Sequence, residues 1–92
     1  PMLIQHAAVA GTLESCDAMV LIEPSSYIEI QVESTVQEIY GNAIRAQVER
    51  TLSQLQITGA KLTIRDRGAF DYVIAARVET AVLRAGREEV SQ

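Results

Sequence analysis

The chain is poor in the groups that chemistry usually recruits. It has one cysteine, Cys16, and one histidine, His6. A single cysteine excludes an intramolecular disulfide, and one cysteine with one histidine excludes a structural zinc cluster, so no metal is expected. A reducing, cytoplasmic setting is the matching expectation. Tryptophan is absent, and the aromatic residues are Tyr27, Tyr40, Phe70 and Tyr72. That is thin material for a nucleic-acid stacking platform. Basic charge is scarce as well, with 8 Lys and Arg against 12 Asp and Glu and a net charge of -4. A nucleic-acid binder gathers a basic surface to neutralise phosphates, whereas an acidic surface favours solubility and basic protein partners. No apolar run approaches membrane-spanning length, so no membrane association is expected. The stretch from Pro1 to Ala10 lacks the basic start of a secretory signal, and Met2 reads as the natural start. Gly11, Gly41, Gly59, Gly68 and Gly86 are isolated from one another, which excludes a glycine-rich phosphate cradle.

What the chain does have is aliphatic periodicity. At 92 residues and 48% hydrophobic it suits one domain, 1–92, with a modest core. Val36, Ile39, Tyr40, Ala43, Ile44, Val48, Leu52 and Leu55 recur at helical spacing and predict a helix from about 36 to 56. Thr35 followed by Glu38 is a capping-box pattern at its start, and Gly59 lies just past its end. Around Tyr27 to Glu33 the period becomes two: Ile28, Ile30 and Val32 alternate with Glu29, Gln31 and Glu33, a strand with one wet face. Ala18 to Glu23 is a second strand, and the short Glu23-Pro24-Ser25-Ser26 link predicts a hairpin between the two. Leu62 and Ile64 mark a third. The stretch from Phe70 to Ala85 fits both periods. Its alanines favour a helix, but the Asp66-Arg67-Gly68 turn suits a hairpin, and a strand over about 72–80 is expected. The resulting class is α+β: a small antiparallel sheet of about four strands with one long helix on one face. Residues 1–17 are expected as a flexible amino-terminal segment and 85–92 as a frayed tail.

Catalysis finds little support. His6 sits near a terminus and reads as a surface residue. Cys16 has Glu14 and Asp17 beside it, no positive environment for a thiolate, and reads as a small half-buried thiol. Glu88 and Glu89 form a solvated pair, and no carboxylate is placed in an apolar setting beside a partner. There remains the small-residue run from Ala7 to Gly11 leading into Thr12-Leu13-Glu14-Ser15-Cys16-Asp17. Such a loop can display a hydroxyl to an enzyme, or can simply be a Ser/Thr turn entering a strand. Residue chemistry alone does not choose Ser15 over Thr12, Ser25 or Ser26.

The run Ala8-Val9-Ala10-Gly11-Thr12-Leu13-Glu14-Ser15-Cys16-Asp17 resembles the amino-terminal signature of citrate lyase acyl carrier (gamma) subunits, Gly-Thr-Leu-Glu-Ser, a small residue, then Asp. Tyr40-Gly41-Asn42-Ala43-Ile44-Arg45 is similar to that family's Phe-Gly-Asp-Ala-Ile-Arg. Asp66-Arg67-Gly68-Ala69-Phe70-Asp71 is similar to its Asp-Lys-Gly-Ala-Leu-Asp, and Ala76-Arg77-Val78-Glu79 follows in order. The departures are mild: Cys16 for Ser or Gly, Asn42 for Asp, Arg67 for Lys and Phe70 for Leu.

The resemblance implies a non-catalytic bacterial carrier, and the strand-rich pattern above is not the helical bundle of ordinary acyl carrier proteins. It implies that Ser15 bears 2'-(5''-phosphoribosyl)-3'-dephospho-CoA through a phosphodiester, within a loop of Gly11, Thr12, Leu13, Glu14, Cys16 and Asp17. The implied partners are the citrate lyase alpha subunit, which exchanges acetyl for citrate, and the beta subunit, which cleaves the citryl thioester to oxaloacetate. A cofactor-attachment transferase and an acetylating ligase complete the set. Glu14 and Asp17 could guide basic docking surfaces or be plain solvated charges. A malonate decarboxylase carrier uses the same type of cofactor and is the close alternative. A small interaction module without a covalent group comes from another class, and a free-standing enzyme is the weakest reading.

Overall fold

A computed structural model describes residues 2–34 and 37–88 of the chain. The elements run β1 (Met2–Ile4), β2 (Ala8–Gly11), β3 (Ala18–Glu23), β4 (Ile28–Ser34), α1 (Gln37–Gln54), β5 (Ala60–Asp66), α2 (Asp71–Ala85) and β6 (Gly86–Glu88). Four strands form the main sheet in the order β2-β3-β5-β4, and β1 pairs with β6 in a separate two-stranded ribbon. The class is α+β, as the sequence predicts, with four strands and a long helix at 37–54. The Thr35 to Glu38 capping box lies outside the described residues.

Three details differ from expectation. First, β3 and β4 form no hairpin: β5 lies between them, antiparallel to β3 and parallel to β4, so the sheet is mixed. The reason is burial. Ala60, Leu62 and Ile64 of β5 are fully covered and claim the centre, whereas β4, with Glu29, Gln31 and Glu33, tolerates an edge. The long helix α1 then supplies the crossover that parallel neighbours require. Second, residues 71–85 form a helix, not a strand. Ile74, Val78, Ala81, Val82 and Ala85 make its buried stripe, while Ala76, which a strand would place on the same face as Ile74 and Val78, is exposed. A second helix therefore joins α1 on the sheet. Third, the segment 1–17 carries two paired strands, and Gly86–Glu88 of the expected tail pairs with Met2–Ile4.

Both helices cover the same face. Ala18, Val20 and Ile22 of β3, with Leu62 and Ile64 of β5, meet Ile44, Val48 and Leu52 of α1 and the α2 stripe in one core. Burying each such aliphatic side chain contributes about 1.5–3 kcal/mol, and trimming Leu62 to alanine costs about 2–5 kcal/mol. Just past the end of α1 at Gln54, Gln56 takes a left-handed backbone with φ 59° and lets Ile57 N–H donate to the Leu52 carbonyl. Gly59 serves another purpose. The link from β3 to β4 crosses above it, and a Cβ there would stand 2.3 Å from the Ser25 carbonyl oxygen.

Candidate functional site

The six-residue turn 12–17 joins β2 to β3, and Ser15 stands exposed within it. Several hydrogen bonds cross this turn. Gly11 opens it with φ 88°, and a Cβ there would meet the Ala18 carbonyl oxygen at 1.9 Å, so both backbone and space demand glycine. Thr12 Oγ1 accepts from Glu14 N–H at 3.1 Å and donates to Asp17 Oδ2 at 2.8 Å. Asp17 N–H donates to the Glu14 carbonyl at 3.2 Å. Cys16 has φ 65°, and its thiol is exposed, not half-buried as expected, because this left-handed residue lies on the outer side of the turn.

Asp17 is the keystone. Its side chain is 13% exposed, and its carboxylate accepts from Ala18 N–H at 2.7 Å, from Thr12 and from two guanidinium nitrogens of Arg77 at 2.9 and 3.0 Å. The Arg77 hydrogen bonds hold its carboxyl well below the usual carboxylate range; partial burial opposes this, and the bonds from Thr12 and Ala18 add to it. The same contact raises Arg77 above its ordinary value. Asp17 is therefore committed to the fold and is no free docking charge. Glu14 and Leu13 are exposed.

A second segment locks against the turn. Cys16 N–H donates to the Arg67 carbonyl at 2.8 Å, and Arg67 N–H donates to the Asp17 carbonyl at 2.9 Å. Just before it, the buried Asp66 accepts from Ser34 Oγ at 3.0 Å, Gly68 N–H at 3.1 Å and Ala69 N–H at 2.9 Å, shaping the turn into α2. An open pocket of about 440 Å³ lies between Leu13, Glu33, Ser34, Arg65, Asp66 and Arg67. Thus the turn 11–17 meets Arg67 and Arg77, both far from it in sequence. Sequence reasoning singled out only the turn as a site. Arg77 and Asp66 were visible as members of motif blocks, without a role.

His6 is exposed at the other end, where its Nε2–H donates to the Arg84 carbonyl at 2.9 Å. Among the described residues no group of three or more His, Cys, Asp and Glu is placed to hold a metal, and no helix is long and apolar enough to cross a membrane. The arrangement can present a hydroxyl on a rigid turn. It assembles no acid–base pair around it.

The chain thus forms a mixed α+β sheet with an exposed serine on its β2–β3 turn, and comparison with known proteins gives its family. Residues 5–85 match the family model described as malonate decarboxylase delta subunit (MdcD), an acyl carrier family. The chain is 51% identical over 86 residues to the citrate lyase acyl carrier protein of Vibrio cholerae serotype O1, covering 91% of this chain and 88% of that protein. It is 48% identical over 91 residues to that of Yersinia enterocolitica, covering 97% and 94%. The chain belongs to the family of citrate lyase acyl carrier proteins, non-catalytic subunits of a larger complex. Its fold is similar to a chain of a Pseudomonas malonate decarboxylase hetero-tetramer solved with malonate, with a TM-score of 0.72 at 23% identity, covering 94% of this chain and 95% of that one.

Proposed function

We propose that the chain is the acyl carrier subunit of a cytoplasmic citrate lyase and that Ser15 carries phosphoribosyl-dephospho-CoA through a phosphodiester. The observation that carries this reading is the exposure of Ser15 on a turn whose residues on either side, Glu14 and Cys16, are hydrogen-bonded through their main chain. An attachment enzyme must reach a hydroxyl in a defined place, and a rigid turn offers that at little ordering cost. The residues fit the group: Ser15 is accessible, and the pocket beside the turn holds Arg67, whose charge suits phosphate, next to Asp66 and an Arg65 that is paired with Glu33.

When bound, the group supplies a thiol that holds acyl units as activated thioesters, and exchange and cleavage belong to the alpha and beta subunits. This chain supplies the tether. A short flexible arm gives each partner site an effective concentration on the order of millimolar. The malonate decarboxylase reading draws on the family model and the structural neighbour, but the 51% identity to a citrate lyase carrier outweighs 23% to that chain. Turnover of citrate against malonate in a reconstituted complex separates the two.

The direct test is intact mass after coexpression with the attachment enzymes. A gain matching the group in the parent chain and none in Ser15→Ala is the expected outcome. An unmodified parent chain beside active attachment enzymes would overturn the proposal.

A further inference from the structure

The carboxyl end of β5, which runs parallel to β4, opens at Asp66 onto a largely apolar groove of about 700 Å³. Ile44 and Ile74 form its floor and Tyr40, Phe70 and Tyr72 its walls. Phe70 is 65% exposed and Tyr72 72%, and their rings stack with centroids 5.9 Å apart and planes 9° from parallel. Large aromatic side chains left in water beside an apolar floor mark a binding surface. Crevices outside the carboxyl ends of parallel strands are where ligands of α/β sheets usually sit.

The groove is continuous with the serine turn. Asp66 lines both the groove and the pocket beside the turn, and Arg67 lines that pocket between them. The Arg67 main chain hydrogen-bonds Cys16 and Asp17, and Phe70 follows Arg67 by three residues, at most about 11 Å of chain. The exposed Arg67 side chain makes no ion pair among the described residues. Asp66 and Asp71 line the groove itself, which disfavours phosphate there but not a neutral ring. The charges therefore sort a nucleotide: phosphate towards Arg67, base towards Phe70 and Tyr72.

We infer that this groove receives the adenine base of the group carried on Ser15, stacked on Phe70 and Tyr72 while Arg67 meets phosphate oxygens. The inference rests on the carrier reading above. In the proposed group the adenosine is separated from the serine by a single phosphoribose, and the thiol lies at the far end. Holding the base beside the turn leaves the thiol arm free to swing and shortens what must be searched between partner sites.

The test is NMR of the modified chain, its loading verified by intact mass, against Ser15→Ala. Expected are upfield shifts of the adenine ring protons and cross-peaks from them to Phe70 and Tyr72. A Phe70→Leu, Tyr72→Leu double variant should lose both while keeping the rest of its spectrum. A loaded chain whose adenine lines match those of free dephospho-CoA would overturn the groove and leave the carrier standing. If Ser15 takes no group, the carrier reading falls, and titration of the unmodified chain with dephospho-CoA decides the groove. Shifts at Phe70 and Tyr72, weakened about tenfold in the double variant, support it; none at millimolar ligand overturns it. Equal shifts from 4'-phosphopantetheine, which has no base, also overturn it.

Discussion

Two short polar segments flank β3, one at each end, and both carry serines. The turn 12–17 precedes the strand and the link 24–27 follows it. In sequence they are rivals for the same role. In space they differ in what holds them. The link is laid over Gly59, with the Tyr27 carbonyl accepting from Ala60 N–H at 3.1 Å; Ser25 is half-buried under that constraint, and Ser26 is exposed beside it. The turn is held from inside by Asp17 and from outside by Arg77 and Arg67, leaving Ser15 to solvent. Thr12 is spent on the bracing. A hydroxyl used by the fold is a poor attachment point. One displayed by the fold is a good one.

The sharpest way to break this comparison is to exchange the serines. Ser15→Ala should abolish covalent loading completely, while Ser25→Ala and Ser26→Ala load like the parent, read by intact mass. Loading that survives in Ser15→Ala and disappears in Ser26→Ala would reverse the assignment.

The glycines beside the two segments come next. Gly11→Ala meets both a left-handed backbone and the Ala18 carbonyl and should cost about 3–5 kcal/mol in urea unfolding. Gly59→Ala faces only the clash with Ser25 and should cost about 1–3 kcal/mol. Gly68→Ala, with φ 89° and open space around it, should cost about 1–2 kcal/mol.

Asp17→Asn should cost about 1–2 kcal/mol at neutral pH by weakening the charged hydrogen bonds to Arg77. The sign of its pH dependence follows from the lowered carboxyl. Between the folded and unfolded values the unfolded chain binds more protons, so the Asp17 contribution is complete above about pH 4, the ordinary carboxylate value. It is lost as pH falls below that. The stability gap between parent and Asp17→Asn should therefore shrink on acidification; a gap constant from pH 6 to pH 2 would show that the carboxylate charge is not what braces the turn. The smallest effect belongs to Cys16→Ser, within about 0.5 kcal/mol, since the thiol is exposed. In the folded parent, Cys16 should react with a thiol reagent without unfolding.

Much of this was legible in the residues. Val48 and Leu52 announce α1 because a helix stripe is set by neighbours three and four apart. The alternation of Leu62 and Ile64 with Lys61, Thr63 and Arg65 announces a strand for the same local reason, and the apolar run from Ala18 announces another. The motif around Ser15 pointed to the carrier family before any fold was known. Other features needed the whole molecule. For residues 71–85 both periods fit locally, and only the sheet face that Ile74, Val78 and Val82 cover makes the helical one win. Strand order was equally hidden, because the short link after Glu23 permits a hairpin and only the burial of β5 forbids it. The bond from Arg77 to Asp17 spans 60 positions and that from Ser34 to Asp66 spans 32. Local periodicity carries no information across such distances, so α+β class and family were settled by sequence, while the bracing of Ser15 and the aromatic groove beside it exist only once the chain has packed.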